Sequence, residues 1–122
     1  MPQRLEAHLG KLTTHVLDTA HGIPAAGVSV LLLDADGRAL AETITNADGR
    51  CDAPLLEGEA MQIGPLTLVF GVGAYFRGKG AALAEPPFLD RVPIAFSISD
   101  AGAHYHVPLL VSPYGYSTYR GS

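Results

Sequence analysis

The sequence contains little cysteine and little positive charge, and each shortage excludes a class of protein. Cys51 is the only cysteine, so the chain cannot contain an internal disulfide framework. Eight Lys and Arg residues against twelve Asp and Glu residues give a formal net charge of −4. A nucleic-acid-binding surface needs clustered basic side chains that neutralise phosphates, and here the basic residues are scattered. We therefore expect no nucleic-acid partner.

Long apolar runs are also absent. No segment approaches the roughly 20 apolar residues that span a bilayer, and residues 1–15 contain no apolar stretch long enough for a secretory signal. We therefore expect a cytoplasmic protein without a membrane partner. The glycines at 71, 73, 78 and 80 match neither of the phosphate-binding patterns, so the sequence gives no reason to expect a nucleotide cofactor.

Short strand patterns dominate a chain whose 122 residues fit one domain. Residues 28–33 form an apolar run that ends at Asp34-Ala35-Asp36-Gly37, and residues 39–45 end at Asn46-Ala47-Asp48-Gly49. Both Asp-Gly pairs predict hairpins, because glycine accepts positive φ and aspartate supports the turn. Further strands are expected over residues 12–17, 66–72, 93–99 and 105–111. This pattern favours an antiparallel β-sandwich, with a short helix expected within residues 74–84.

Histidines on two of these strands are candidates for acid–base chemistry, because imidazole titrates near neutral pH. His104 and His106 alternate with apolar residues of the last long strand. If the apolar set faces the core, both imidazoles point outward. His15 can share that outer face from the first strand. Two strands of one sheet would then present imidazoles on the same side.

Three other features allow a structural or a functional reading. His104 and His106 could clip a metal, with His15 as a third ligand, but zinc normally needs three or four protein ligands, and we predict no metal site. Cys51 is expected to be a small buried hydrophobe, with a nucleophilic thiol as the alternative. Arg50 directly follows a turn, where arginine is commonly solvated, yet its planar guanidinium suits a planar, oxygen-rich anion.

The end of the chain is polar and compact. Residues 117–122, read alone, could be a frayed terminus or a vector scar. They continue smoothly from residues 108–116, which have the composition of folded protein. We therefore expect the tail to belong to the fold.

Three motifs in a fixed order carry a family resemblance. They are Leu12-Thr13-Thr14-His15-Val16-Leu17-Asp18, then Thr45-Asn46-Ala47-Asp48-Gly49-Arg50-Cys51, and finally His104-Tyr105-His106-Val107-Pro108-Leu109-Leu110 running into Tyr119-Arg120-Gly121-Ser122. With these motifs the chain resembles the transthyretin-like family, in its branch of 5-hydroxyisourate hydrolases. The resemblance departs at residues 70–72, which are looser than usual, and at Pro93, which is typical of a strand start or an edge.

The resemblance implies a transthyretin-like (prealbumin-like) antiparallel β-sandwich of about eight strands with one short helix over residues 12–122. Residues 1–11 would form an N-terminal extension. The resemblance further implies a homotetramer with active sites at the interface between dimers, and no cofactor.

The implied reaction is hydrolysis of the N1–C6 amide of 5-hydroxyisourate, a step of urate catabolism. Ring opening would give 2-oxo-4-hydroxy-4-carboxy-5-ureidoimidazoline. Water then needs a base, and the developing oxyanion needs stabilisation. The resemblance assigns His15 and His106 to proton transfer, in an order that the sequence leaves open, and Arg50 to the substrate carbonyl. The residues implied in substrate binding are Tyr119, Ser122, Arg120 and His104.

Two other classes of protein remain as alternatives. A transthyretin-type carrier shares the fold, and a fold alone does not decide function. Such a carrier is expected to line its channel with apolar groups, without a His–His–Arg set. The third class is a metal-binding or purely structural sandwich domain.

Overall fold

The computed structural model describes residues 9–121, so residues 1–8 of the expected extension and Ser122 lie outside the described part of the chain. Most regular structure in residues 9–121 is strand. The strands are β1 (Lys11–Thr13), β2 (Val16–Asp18), β3 (Ile23–Pro24), β4 (Ser29–Leu33), β5 (Ala39–Ile44), β6 (Leu56–Glu57), β7 (Gly64–Gly71), β8 (Arg91–Ile98), β9 (His104–His106), β10 (Leu109–Ser112) and β11 (Gly115–Thr118). A 3₁₀ turn covers Gly58–Ala60, and helix α1 covers Val72–Gly78.

The strands form three hydrogen-bonded sheets, which together make the expected β-sandwich. Their orders are β6-β1-β9, β11-β10-β2-β3 and β5-β4-β7-β8. Burial alternates along the strands, as one-sided sheets require. In β7, for example, Leu66, Leu68 and Phe70 are buried and the residues between them are half-buried. The buried sets of all three sheets join in one hydrophobic core.

The two long strands expected over residues 12–17 and 105–111 are each interrupted. The first divides into β1 and β2, and the second into β9 and β10. The second break falls at Val107 and Pro108, where proline has no N–H for a ladder bond. These two interruptions account for two of the strands beyond the eight expected.

Not every pairing is antiparallel. β1 pairs with β9, and β2 with β10, in parallel. Between these pairs the ladder continues through Val107 N–H to the Thr13 carbonyl and Leu109 N–H to the His15 carbonyl. Parallel neighbours need a long crossover connection, and here nearly the whole chain lies between the two segments.

Turns and ends confirm some predictions and shift others. The turn at Asp34–Gly37 connects the β4–β5 hairpin as predicted. Pro93 lies in β8, an edge strand, which is where proline is tolerated. The helix begins at Val72, two residues before the predicted segment, and ends at Gly78. Within residues 9–121, no helix is both long and apolar enough to span a membrane.

Candidate active site

A cavity of about 350 Å³ opens on the outer face of β1 and β9. Its lining residues are Thr13, Thr14, Arg50, Cys51, Ala53, His104 and His106. The alternation predicted for these strands is confirmed, because Tyr105 and Val107 are buried while His106 is half-buried and His104 exposed. Because the apolar side chains that alternate with them face the core, both imidazoles point into the cavity.

The register between β1 and β9 sets the geometry of the two histidines. Thr13 lies opposite His106, and Lys11 lies opposite His104. The Thr13 hydroxyl Oγ1 is 2.8 Å from Nδ1 of His106 and 2.8 Å from Nε2 of His104. One side chain of β1 thus contacts both imidazoles of β9, which lie on the same side of the strand.

The turn before Arg50 is the second predicted Asp-Gly turn, and the structure corrects its role. The turn forms, since the Asn46 N–H donates to the Arg50 carbonyl over 2.7 Å. Within residues 9–121, no strand after the turn pairs with β5, whose neighbour in the sheet is β4. Instead Arg50 meets His15 in an isolated antiparallel bridge. The prediction of a second hairpin was therefore wrong, because the turn packs against the junction between β1 and β2.

Close packing fixes that position. Gly49 has φ +75°, and a Cβ there would lie 2.4 Å from the Val16 carbonyl oxygen. The Val16 N–H donates to the Gly49 carbonyl over 2.7 Å. Only glycine combines this backbone conformation with this approach. Gly49 therefore brings Arg50 to the rim of the cavity.

Two turns of the chain share one hydrogen-bond pattern but differ in whether the turn gives its arginine a carboxylate partner. In the first turn Oδ1 of Asp34 accepts the N–H of Asp36 and of Arg38. In the second turn Oδ1 of Asn46 accepts the N–H of Asp48 and of Arg50. The guanidinium of Arg38 lies 3.7 Å from the Asp34 carboxylate. Position 46 is a neutral amide, and no carboxylate within residues 9–121 forms an ion pair with Arg50.

His15 lies beside the cavity, next to Arg50. Its Nε2–H donates to the Asp48 carbonyl oxygen over 2.8 Å. A carbonyl oxygen only accepts, so Nε2 carries the proton and Nδ1 of the neutral ring keeps a lone pair. This contact fixes the orientation of the imidazole relative to the turn that carries Arg50.

The described part of the tail, up to residue 121, crosses β9 from one face to the other. The Arg120 guanidinium stacks 4.1 Å from the centre of the Tyr105 ring and donates to the His104 carbonyl over 3.3 Å. Tyr119 and Arg120 line a separate groove with Tyr105, and Tyr119 remains 59% exposed. The structure thus brings these two residues together on the side of β9 away from the histidines.

Gly121 returns the tail to the cavity side. Its N–H donates to the His106 carbonyl over 2.7 Å. A Cβ at this position would lie 2.8 Å from Cδ2 of His106, closer than atoms pack. The backbone of Gly121 therefore rests directly on the imidazole. Ser122, the remaining tail residue expected in the site, is outside the described residues.

The electrostatic setting favours neutral His106. Burial lowers the pKa of His106 below its ordinary value, and the positive charges of Arg50, His104 and His15 lower this pKa further. A histidine with a lowered pKa is unprotonated near neutral pH, as a base must be. Burial and the Asp52 carboxylate raise the pKa of the Cys51 thiol. Its thiolate is thereby disfavoured, which is the opposite of what a nucleophilic cysteine needs.

Sequence reasoning missed Thr13, Asn46 and Gly121. Each lies within a quoted motif, but none titrates near neutrality, and their contacts depend on partners up to 93 residues away. The set His104, His106 and His15, considered above as a metal clip, does not converge. Within residues 9–121, no three His, Cys, Asp or Glu side chains are grouped closely enough to hold a metal ion.

Comparison with known proteins gives matches over nearly the whole chain. The model of the HIUase/Transthyretin family matches residues 12–121. A 5-hydroxyisourate hydrolase from Mesorhizobium japonicum is 58% identical over 125 residues, which cover 100% of both chains.

Solved structures share the fold. The crystal structure of (S)-allantoin synthase matches with a TM-score of 0.88 and 43% identity over 93% of this chain, which spans 44% of that chain. Sea bream transthyretin in complex with thyroxine matches with a TM-score of 0.79 and 27% identity, covering 91% of this chain and 94% of that chain. The same fold therefore occurs both in an enzyme and in a protein solved in complex with thyroxine.

Proposed function

The chain belongs to the HIUase/Transthyretin family, and we propose that it is a hydrolase that opens the six-membered ring of 5-hydroxyisourate. The observation that carries this proposal is the cavity in which His106, with its lowered pKa, faces Arg50. Within residues 9–121 no carboxylate forms an ion pair with Arg50, and a neutral imidazole next to such a cation suits attack of water on a carbonyl. The hydrolase of M. japonicum, identical at 58% of positions, supports the same substrate.

In the proposed reaction His106 is the base. Nδ1 of His106 is engaged by Thr13, so Nε2 is the ring nitrogen that takes a proton from water. The water oxygen bonds to C6, and the C6–N1 bond breaks. Protonated His15 supplies a proton to N1 as it leaves. General acid–base help of this kind typically contributes ~10²–10⁴-fold in rate.

Arg50 is proposed to stabilise the oxyanion that forms on the C6 carbonyl. Because the side chain of Asn46 is a neutral amide, it leaves the guanidinium of Arg50 available for this purpose. A fixed donor at a developing oxyanion is worth roughly 10²–10³-fold in kcat. Tyr119, Arg120, His104 and Ser122 remain proposed substrate-binding residues. Of these, His104 lines the cavity, and Tyr119 with Arg120 lines the neighbouring groove.

The proposed assembly is a homotetramer with the cavity at the interface between dimers. Two observations support it. The four residues of β11, an outer strand of its sheet, are all exposed, including Tyr116 at 46%. Arg50 and His104 are also exposed in the single chain, whereas the site needs water excluded to strengthen its charges. A neighbouring subunit would cover them. Light scattering during size exclusion is expected to give four chain masses, and a fully active monomer would contradict the assembly.

The proposed activity is tested by following 5-hydroxyisourate, generated by urate oxidase, through its absorbance. Addition of the protein is expected to accelerate the decay, and a chelator is expected to leave the acceleration unchanged. Decay at the spontaneous rate would instead support a carrier, for which thyroxine binding is the matching assay. Acceleration that disappears with chelator would support a metal-dependent reaction. Either of these results would overturn the proposal as stated.

A further inference from the structure

The hydroxyl of Thr13 contacts both histidines of the cavity. Its Oγ1 lies 2.8 Å from Nε2 of His104 and 2.8 Å from Nδ1 of His106. Both distances are hydrogen bonds of ordinary length. A threonine hydroxyl has one proton to donate and two lone pairs that accept. It therefore donates to one imidazole and accepts from the other.

This single proton couples the tautomers of the two rings. When Thr13 donates to His104, the Nδ1–H of His106 donates to Thr13, and Nε2 of His106 keeps a lone pair. When Thr13 donates to His106, Nε2 of the neutral His106 ring carries the proton instead. Only the first arrangement leaves a basic nitrogen on the edge of His106 that Thr13 does not engage.

We propose that Thr13 is a positioning residue that holds the proton of neutral His106 on Nδ1, with His104 accepting at the far end of the chain of hydrogen bonds. The catalytic consequence rests on the proposed function, because it makes Nε2 the base. When Nε2 takes a proton from water, the Nδ1–H bond to Thr13 is unchanged. No other proton moves, so the imidazolium forms without rearrangement of the ring or of Thr13.

The fold supports this role. Parallel pairing places Thr13 opposite His106 and two residues from the partner of His104, so one hydroxyl reaches two alternate side chains of β9. The groups that lower the pKa of His106 through their positive charge are Arg50, His104 and His15, and each favours the neutral ring of His106. The Thr13 hydroxyl donates to Nε2 of His104 while His104 is itself neutral, because a protonated nitrogen has no lone pair to accept with. Thr13 decides which nitrogen of the neutral His106 ring carries the proton.

The experiment compares Thr13→Val with Thr13→Ser in the full-length protein. Valine keeps the shape of the side chain and removes the hydroxyl, whereas serine keeps the hydroxyl. Nitrogen NMR of labelled histidines, at a pH where His106 is neutral, is expected to show protonated Nδ1 and unprotonated Nε2 in the wild type and in Thr13→Ser. In Thr13→Val the Nε2–H tautomer is expected to grow.

The expected kinetic effect is a drop of about tenfold in kcat/KM for 5-hydroxyisourate in Thr13→Val, and a change within about twofold in Thr13→Ser. Tenfold corresponds to about 1.4 kcal/mol, which lies within the range of one neutral hydrogen bond. His104→Phe provides a further test with Thr13 intact. This change removes the acceptor, so the Thr13 hydroxyl is expected to donate to Nδ1 of His106 instead. The Nε2–H tautomer of His106 is then expected to grow, as in Thr13→Val.

Two results would overturn the proposal: an Nε2–H tautomer of His106 in the wild type, or a Thr13→Val variant with unchanged tautomer and rate. Thermal unfolding of each variant shows that it is folded. The NMR result does not depend on the substrate. A wild-type protein that fails to accelerate decay of 5-hydroxyisourate would remove the proposed function, while the ring tautomers would still decide the role of Thr13.

Discussion

Replacement of Gly121 by alanine is expected to damage the site through a single methyl group. A Cβ at this position would lie 2.8 Å from Cδ2 of His106 and 3.3 Å from its Cβ and Cγ. Carbon atoms pack best at about 3.5–4.0 Å, so the imidazole must retreat by roughly 1 Å from the new methyl group. A displacement of this size in a reacting group can cost ~10²-fold in rate. We expect Gly121→Ala to lower kcat in the 5-hydroxyisourate assay by about that factor.

The control is Gly78→Ala, at the end of α1. A Cβ at Gly78 would have no atom within 4 Å. We therefore expect near wild-type kcat in Gly78→Ala and similar thermal midpoints for both variants. Wild-type kcat in Gly121→Ala would refute the reasoning, because the ring would then tolerate the displacement or take no part in the chemistry.

Other predictions concern Arg50 and its turn. Arg50→Gln removes a positive charge that lowers the pKa of His106, so we expect NMR titration to show a higher pKa for His106. The acidic limb of the kcat/KM profile is then expected to move to higher pH in whatever activity remains. An unchanged pKa of His106 would contradict the electrostatic effect of Arg50. Asn46→Asp preserves the Oδ1 acceptor of the turn but places a carboxylate beside Arg50, as Asp34 does beside Arg38. We expect a lower kcat/KM, because Arg50 would then pair with this carboxylate instead of the oxyanion. The mirror change Asp34→Asn is expected to leave kcat/KM unchanged, and equal effects of the two changes would show that pairing of Arg50 is not the cause.

The fold was largely predictable from local patterns. Alternation along residues 104–107 indicated which side chains face the core, and the structure confirms buried Tyr105 and Val107 beside outward His106. The glycine of the first Asp-Gly turn adopts φ +83° as a hairpin turn requires. These features depend on residues that are neighbours in the sequence, and they can therefore be predicted from the sequence.

The direction of pairing between the two ends of the chain was not predictable. β1 and β9 are separated by about ninety residues, and periodicity within each strand carries no information on parallel or antiparallel register. The helix boundary was missed for a related reason. A Cβ on Gly73 would lie 2.6 Å from Oδ1 of Asp90, so the segment before β8 leaves room only for glycine here. Helix propensity disfavours glycine, and the sequence therefore did not place the start of the helix before this position.

For the site, the sequence identified groups with evident chemistry and missed those that position them. Histidine and arginine are recognisable as candidates wherever they occur, and the order of the motifs linked His15, Arg50 and His106. The contacts of Thr13 and Gly121 with His106 arise only from the register of β1 with β9 and from the return of the tail. Tyr119 and Arg120 lie in a different groove because the tail crosses β9, and alternation within the tail alone does not reveal this crossing.

We propose His106 as the base in hydrolysis of 5-hydroxyisourate. The most direct test is kcat/KM of His106→Gln, measured with urate oxidase coupling beside the wild type at the same oligomeric state. Glutamine retains polarity and similar size but cannot take a proton from water near neutral pH. We predict a loss of ~10²–10⁴-fold with unchanged thermal midpoint and molecular mass. A kcat/KM within about twofold of the wild type would contradict the claim, since the range expected for lost acid–base catalysis is far larger.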